Sequence, residues 1–175
     1  MQNIFVYGVP GSGKTTYSLE LKKKIGYDYI EADYLREDFA QKDKTKEEDP
    51  FVYLGTIEAY REFGELTKEN VLSGLKAVRK SMAPYVLQET ERHDENLIME
   101  GAFLDPVELA DKGRLMLIVT TDEPRHRTQY FQHRDENESN IEQFKATRII
   151  QDFLIEEAKK YLVEIIENDF DFNHI

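Results

Sequence analysis

Residues 4–26 read IFVYGVPGSGKTTYSLELKKKIG, and the order of residue types in this stretch decides the fold. Ile4, Phe5, Val6 and Tyr7 form a continuous apolar run that ends at Gly8, the pattern of a central strand covered on both faces. Tyr17, Leu21 and Ile25 then recur at helical spacing. Between strand and helix lies a glycine-rich loop in which Gly8, Gly13, Lys14 and Thr15 fit the Walker A pattern, GxxxxGK followed by Ser or Thr. Such a loop bends so that successive N–H groups converge on phosphate oxygens, and the start of the helix adds its partial positive charge. The candidate nucleotide-binding residues are Gly8, Pro10, Gly11, Ser12, Gly13, Lys14, Thr15 and Thr16. Lys14 reaches the β- and γ-phosphates in this arrangement, and the Thr15 hydroxyl is the candidate magnesium ligand. ATP with Mg²⁺ is the expected cofactor pair.

The rest of the chain alternates in a way that suits this start. A second short strand is read in YDYIEAD (27–33), a third in NLIMEG (96–101), a fourth in RLMLIVTT (114–121) and a fifth in VEIIEN (163–168). Alternating strands and helices imply a parallel, doubly wound sheet. From Tyr34 to about Arg92 the pattern is helical, interrupted by QKDKTKEEDP (41–50). Pro50 can open a helix there, and Pro84 is expected to kink or end the later one. AFLDPVELADKG (102–113) reads as a loop and short helix. A strong helix follows residue 140, with Ile149, Ile150, Phe153, Leu154, Ala158, Tyr161 and Leu162 on one face.

Composition narrows the class. At 175 residues, with 33% charged and 40% hydrophobic residues, the chain suits one folded domain. The run LMLIV (115–119) is strand-sized, far short of a membrane span. Because the first strand begins almost at the N-terminus, no signal peptide is expected, and the expected compartment is cytoplasmic. The chain has no cysteine, so disulfides and thiolate metal sites are excluded. A formal net charge of −12 opposes binding to nucleic acid or to an anionic membrane surface. An acidic protein that binds an anion must gather its few cations at the phosphates, so the position of each arginine is informative.

Asp33 follows the second strand and therefore lies at the carboxyl edge of the sheet, where ligands of open α/β folds collect. Arg36, three residues on, shares its side of a starting helix. Asp33 is a candidate to orient or accept the proton of an attacking hydroxyl, with Arg36 binding an anionic acceptor; an N-cap aspartate with a surface arginine is the alternative. Glu100 ends the third strand beside Gly101, placed either to serve magnesium or the acceptor, or to close a turn. DEPRHRTQYFQHRDENES (122–139) has few large apolar residues and is not expected to pack as a core helix. Its cations suit a lid, with Arg127 and Arg134 preferred as catalytic groups and Arg125 and Arg148 as alternates; a solvated, salt-bridged surface is the competing reading. His126 and His133, seven apart, are expected to be hydrogen-bonding or solvated rather than metal-bound.

The order of these motifs resembles the P-loop small-molecule kinases, and within them most of all the 2-phosphoglycerate kinase group. The resemblance rests on GVPGSGKTT, EADYLRE, TIEAYREF, LIMEGAFLDP, HRTQYFQHR, ATRIIQDFLIEEAKK and VEIIEN, which span nearly the whole chain. It implies a three-layer P-loop kinase-like sandwich around a five-stranded parallel sheet, a helical substrate-binding insert at about 34–92 and a lid at about 122–140. It also implies an ATP- and magnesium-dependent phosphotransferase in which Gly8 to Thr15 bind ATP, Asp33 and Arg36 serve the acceptor and the arginines near 127–134 form the lid; the expected reaction is transfer to a small, anionic acceptor, with Glu100 also among the candidate acceptor-binding residues. The chain departs from the family pattern at Ala102 or Phe103, where a histidine is expected, and at Gln129 and His133, where arginines are expected. A nucleoside or nucleotide kinase and a regulatory nucleotide-binding ATPase are the alternatives.

Overall fold

The computed structural model describes residues 2–93 and 96–169. Five strands, β1 (Asn3–Tyr7), β2 (Asp28–Glu31), β3 (Leu97–Gly101), β4 (Gly113–Val119) and β5 (Glu164–Glu167), form one sheet in the order β2-β3-β1-β4-β5. Every pairing is parallel. The period-2 alternation of β1 divides its side chains between two cores. Phe5 and Tyr7 join the larger core under α4 (Lys68–Arg92) and α6 (Glu138–Lys160), and Ile4 and Val6 pack with Tyr17 of α1 (Lys14–Ile25) on the other face. Covering on both faces is why β1 lacks polar residues in its centre. The chain leaves β1 for β2 at one edge and leaves β3 for β4 on the far side of β1, so the connections part at the carboxyl ends of β1 and β3, where the glycine-rich loop begins.

The stretch between β2 and α4 is less regular than its sequence suggests. α2 (Ala32–Leu35) runs through a π-helical stretch (Arg36–Ala40) into the short α3 (Gln41–Asp43). Two 3₁₀ turns, Pro50–Val52 and Ala59–Glu62, then lead to α4. Pro50 opens the first of them, as its position predicts. Pro84 does not end α4, which runs unbroken from Lys68 to Arg92. Val71, Leu75, Val78, Met82 and Val86 are buried on both sides of the proline, while Pro84 and Lys80, whose carbonyl loses its partner, lie on the exposed face where water can serve it.

Three further expectations are corrected. Residues 102–112 form turns without a helix. α6 ends at Lys160, which leaves Tyr161 and Leu162 outside the buried face, Leu162 at 92% exposure with φ 56°. Residues 123–131 do form a packed helix, α5 (Glu123–Phe131), in which His126 and Tyr130 are fully buried. Both are amphipathic rings one helical turn apart, so a face that reads as polar in sequence is apolar in area. Among the described residues no helix is long and apolar enough to cross a membrane.

Candidate active site

The phosphate loop begins at Gly8 and closes in a tight turn, with Ser12 N–H donating to Val9 O at 3.2 Å. Gly11 (φ 77°) and Gly13 (φ 89°) occupy left-handed conformations that disfavour any side chain. A Cβ on Gly13 would also lie 2.6 Å from the amide of Asn168, which sits just after β5 and covers this part of the loop. No side chain caps α1, and its first turn carries no acidic residue. Its leading N–H groups therefore remain available to an anion.

Lys14, Thr15 and Glu100 meet at the mouth of this loop. Glu100 is 4% exposed at the end of β3. The Thr15 hydroxyl donates to its Oε1 at 2.7 Å, the Tyr29 hydroxyl donates to the same atom at 3.2 Å, and Lys14 Nζ stands 3.7 Å from Oε2. Burial, with Glu100 and Glu31 beside it, pushes the Tyr29 phenol well above its ordinary pKa, so Tyr29 acts as a donor. Glu100 Oε2 accepts no hydrogen bond. A hydroxyl and a buried carboxylate with an unused oxygen suit a hydrated Mg²⁺, which takes oxygen ligands and keeps part of its water shell. Thr15 would hold such an ion directly and Glu100 would face its hydration shell.

Two clefts open on either side of the loop. The first, about 720 Å³, runs over Gly11, Gly13, Lys14, Thr15 and Thr16 toward Gln129, His133 and Asn168. The second, about 490 Å³, is lined by Asp33, Arg36, Thr56, Glu58, Ala102 and Gln143, and again by Gly11, Lys14 and Thr15. Arg134 lines both. Its Nη1 donates to Tyr130 O at 2.9 Å and its guanidinium lies 4.5 Å from the centre of the Tyr130 ring, but among the described residues no carboxylate pairs with it.

The other candidate arginines are placed differently. Arg127 pairs with Glu136 at 2.9 Å, stacks 4.8 Å from the centre of Phe131 and lines neither cleft. Arg125 pairs with Glu167, and Arg148 donates to the carbonyls of Thr120 and Thr121. Asp33 and Arg36 do share one side of their helix, with Arg36 Nε 3.5 Å from Asp33 Oδ1. Arg36, however, is 8% exposed, stacks 5.0 Å from the centre of Phe103, and directs its Nη1 to the carbonyls of Phe51 and Leu54. Much of the fork expected to grip an acceptor thus holds the wall of the second cleft together. His126 and His133 do not form a pair: the first is buried and the second is exposed beyond the end of α5. Among the described residues no cluster of three or more His, Asp or Glu could hold a metal ion.

The sequence reading missed Glu58 and Gln143. Gln143 Nε2 donates to Glu58 Oε1 at 2.9 Å across 85 positions of chain, while Gln143 Oε1 receives the Tyr130 hydroxyl at 3.4 Å. Only the third dimension brings them together.

Because Arg36 Nη1 serves two backbone carbonyls, Arg36→Lys should lower the melting temperature of the ligand-free protein. Losing charge-assisted hydrogen bonds of about 2 kcal/mol corresponds to roughly 4–8 °C for a chain of this size. An unchanged thermal transition in differential scanning calorimetry would show that these contacts carry nothing.

A phosphate-binding loop at the switch point of a parallel sheet, flanked by helices on both faces, defines a P-loop protein. The family model described as AAA domain matches residues 4–151, and the chain belongs to that family. The resemblance seen in the sequence has its counterpart among relatives. The 2-phosphoglycerate kinase of Pyrococcus furiosus is 27% identical over 94% of this chain and 58% of its own length. The adenylate kinase of Thermococcus kodakarensis is 29% identical over 57% of this chain and 37% of its own length. The chain thus spans a little over half of the first relative and about a third of the second. Among solved structures, shikimate kinase from Acinetobacter baumannii in complex with shikimate superposes with a TM-score of 0.58 at 16% identity, covering 98% of this chain and 86% of that one. Deoxyadenosine kinase from M. mycoides superposes with a TM-score of 0.53 at 13% identity, covering 99% and 94%. These structures show the three-layer P-loop kinase-like fold.

Proposed function

We propose that this chain transfers the γ-phosphoryl group of ATP to a hydroxyl of a small, anionic metabolite. The observation that carries the reading is that two clefts meet at Lys14, Thr15 and Arg134. A nucleotide-binding switch needs only the first cleft, whereas a transferase needs a second one facing the same phosphate. Kinase relatives support the same reading. In the second cleft the cations Lys14, Arg36 and Arg134 outnumber the carboxylates Asp33 and Glu58, which suits an acceptor bearing carboxylate or phosphate. Glu58, oriented by Gln143, would receive a hydrogen bond from a second hydroxyl of that acceptor.

In the transfer the acceptor oxygen bonds to the γ-phosphorus, the bond from that phosphorus to the bridging oxygen breaks, and ADP departs with the electron pair. Asp33, which faces the second cleft, orients the attacking hydroxyl and takes its proton. Lys14 and Arg134 meet the charge on the transferring group. Mg²⁺, when bound, would neutralise charge on the β- and γ-phosphate oxygens. Closure around the nucleotide would exclude water, and so hydrolysis.

The test is ADP release with and without a panel of acceptors: glycerate phosphates, hydroxy acids, deoxynucleosides and nucleoside monophosphates. Stimulation by an anionic acceptor is the expected result. Stimulation by a neutral nucleoside alone would move the protein to the nucleoside kinases, and release indifferent to every acceptor would make it an ATPase. With the stimulating acceptor, Asp33→Asn should lower kcat about 10²-fold and leave the KM for ATP nearly unchanged.

A further inference from the structure

The turn from Val9 to Ser12 has Pro10 in its second position and Gly11, at φ 77°, in its third, with the closing bond from Ser12 N–H to Val9 O. This is the signature of a type II turn. Type I and type II turns share their ends and differ in the direction of the central peptide, here Pro10–Gly11. In a trans peptide the carbonyl and the N–H point in opposite directions. The direction of the Pro10 carbonyl therefore decides where the Gly11 N–H points, and Gly11 lines both clefts.

His126 fixes that direction. The ring is 0% exposed, and its Nε2 lies 2.9 Å from Pro10 O. On the other side, Arg148 Nη1 donates to His126 Nδ1 at 3.1 Å. A carbonyl can only accept and a guanidinium can only donate, so the ring is neutral with its proton on Nε2. Arg148 is itself bound to the carbonyls of Thr120 and Thr121, just past β4. The Pro10 carbonyl is thus tied through one imidazole and one guanidinium to the edge of the sheet. α5 also presses on the turn, since a Cβ on Gly11 would lie 3.1 Å from Tyr130 Cα and 3.2 Å from His126 Cδ2.

We propose that His126 is a positioning residue for the phosphate loop: its Nε2–H holds the Pro10–Gly11 peptide in the type II orientation and so turns the Gly11 N–H away from α5, toward bound phosphate. The functional consequence rests on the nucleotide-binding reading given above. Charging the ring would place an N–H against the Arg148 guanidinium. Burial holds the His126 pKa below its ordinary value; Arg148 on α6 acts in the same direction, against the bond to Pro10 O and the charges of Glu123 on α5 and Glu167 on β5. With the folded value depressed, the neutral ring contributes its full stability above about pH 6.5 and progressively less as pH falls below that.

Two measurements decide the matter. In ¹⁵N NMR of histidine-labelled protein, His126 should be the neutral Nε2–H tautomer at pH 7; an Nδ1–H tautomer or a ring charged at pH 7 overturns the proposal. In titrations with Mg²⁺ and a fluorescent ADP analogue, His126→Gln, which keeps an N–H near the Nε2 position, should bind within about threefold of the wild type. His126→Asn, which leaves that position empty, should bind about tenfold more weakly, the equivalent of one lost hydrogen bond. Both variants lose the ring contact with Phe144, so a His126→Gln variant weakened as much as His126→Asn would assign the loss to packing and overturn the proposal. If His126→Asn does not fold, the NMR result on the wild type stands as the deciding one. A wild-type protein with the stated tautomer that binds no Mg·ADP would overturn the nucleotide reading while leaving the turn assignment in place.

Discussion

Lys14→Ala is expected to lower phosphoryl transfer about 10³-fold or more, the scale of losing a fixed charge at a transferring phosphoryl group. Lys14 lines both clefts and stands beside Glu100, at the point where, on the proposed reading, nucleotide and acceptor meet. The fold should survive, because Thr15 and Tyr29 still donate to Glu100 when the ammonium is gone. Steady-state ADP release measures the first part of this expectation and far-ultraviolet circular dichroism the second. Turnover within a fewfold of the wild type would end the phosphate-loop reading.

Arg134→Ala should have a comparable effect on turnover, about 10³-fold, while Mg·ADP binding changes by only a fewfold. The asymmetry follows from its position. Arg134 lines both clefts and has no carboxylate partner among the described residues, so in the proposed transfer its charge would be available where negative charge develops. Arg127→Ala is the contrasting variant. Arg127 is already matched by Glu136 and lies outside both clefts, and its loss should leave kcat close to the wild-type value. Equal losses in the two variants would mean that this segment rearranges enough to bring Arg127 inward, and near-native turnover in both would leave neither arginine a part in the transfer.

The parts of this site that could be read from sequence are those whose chemistry is local. The loop from Gly8 to Thr15 carries its own strand, turn glycines and helix within a few residues. Asp33 and Glu100 were legible because a strand end in a parallel sheet points to one edge; the register of β2 on β3 sets Glu31 against Glu100 and brings Asp33 to the same crevice. Residues whose roles depend on distant partners were not legible. Glu58 and Gln143 have no motif, and Asn168 meets Gly13 only because β5 lies next to β4. His126 was expected to be hydrogen-bonding or solvated, and which partners it bonds depends on α5 burying its ring between Pro10 and Arg148. Arg127 and Arg134 could not be ranked from spacing, because α5 stops at Phe131 and the chain turns before Arg134. Arg36 was placed correctly beside Asp33, but the carbonyls that occupy its Nη1 belong to residues 15 and 18 positions further on.

Tyr130 touches the machinery of both clefts. Its carbonyl and ring hold Arg134, and its hydroxyl reaches Gln143, which in turn holds Glu58 in the second cleft. On the proposed reading, whatever draws Arg134 toward a nucleotide would therefore also act on Glu58, the residue proposed to face the acceptor. In thermodynamic terms the two ligands are linked: if the nucleotide tightens acceptor binding by some factor, the acceptor must tighten nucleotide binding by the same factor. With coupling of that sign, each substrate would bind more weakly alone than in the presence of the other.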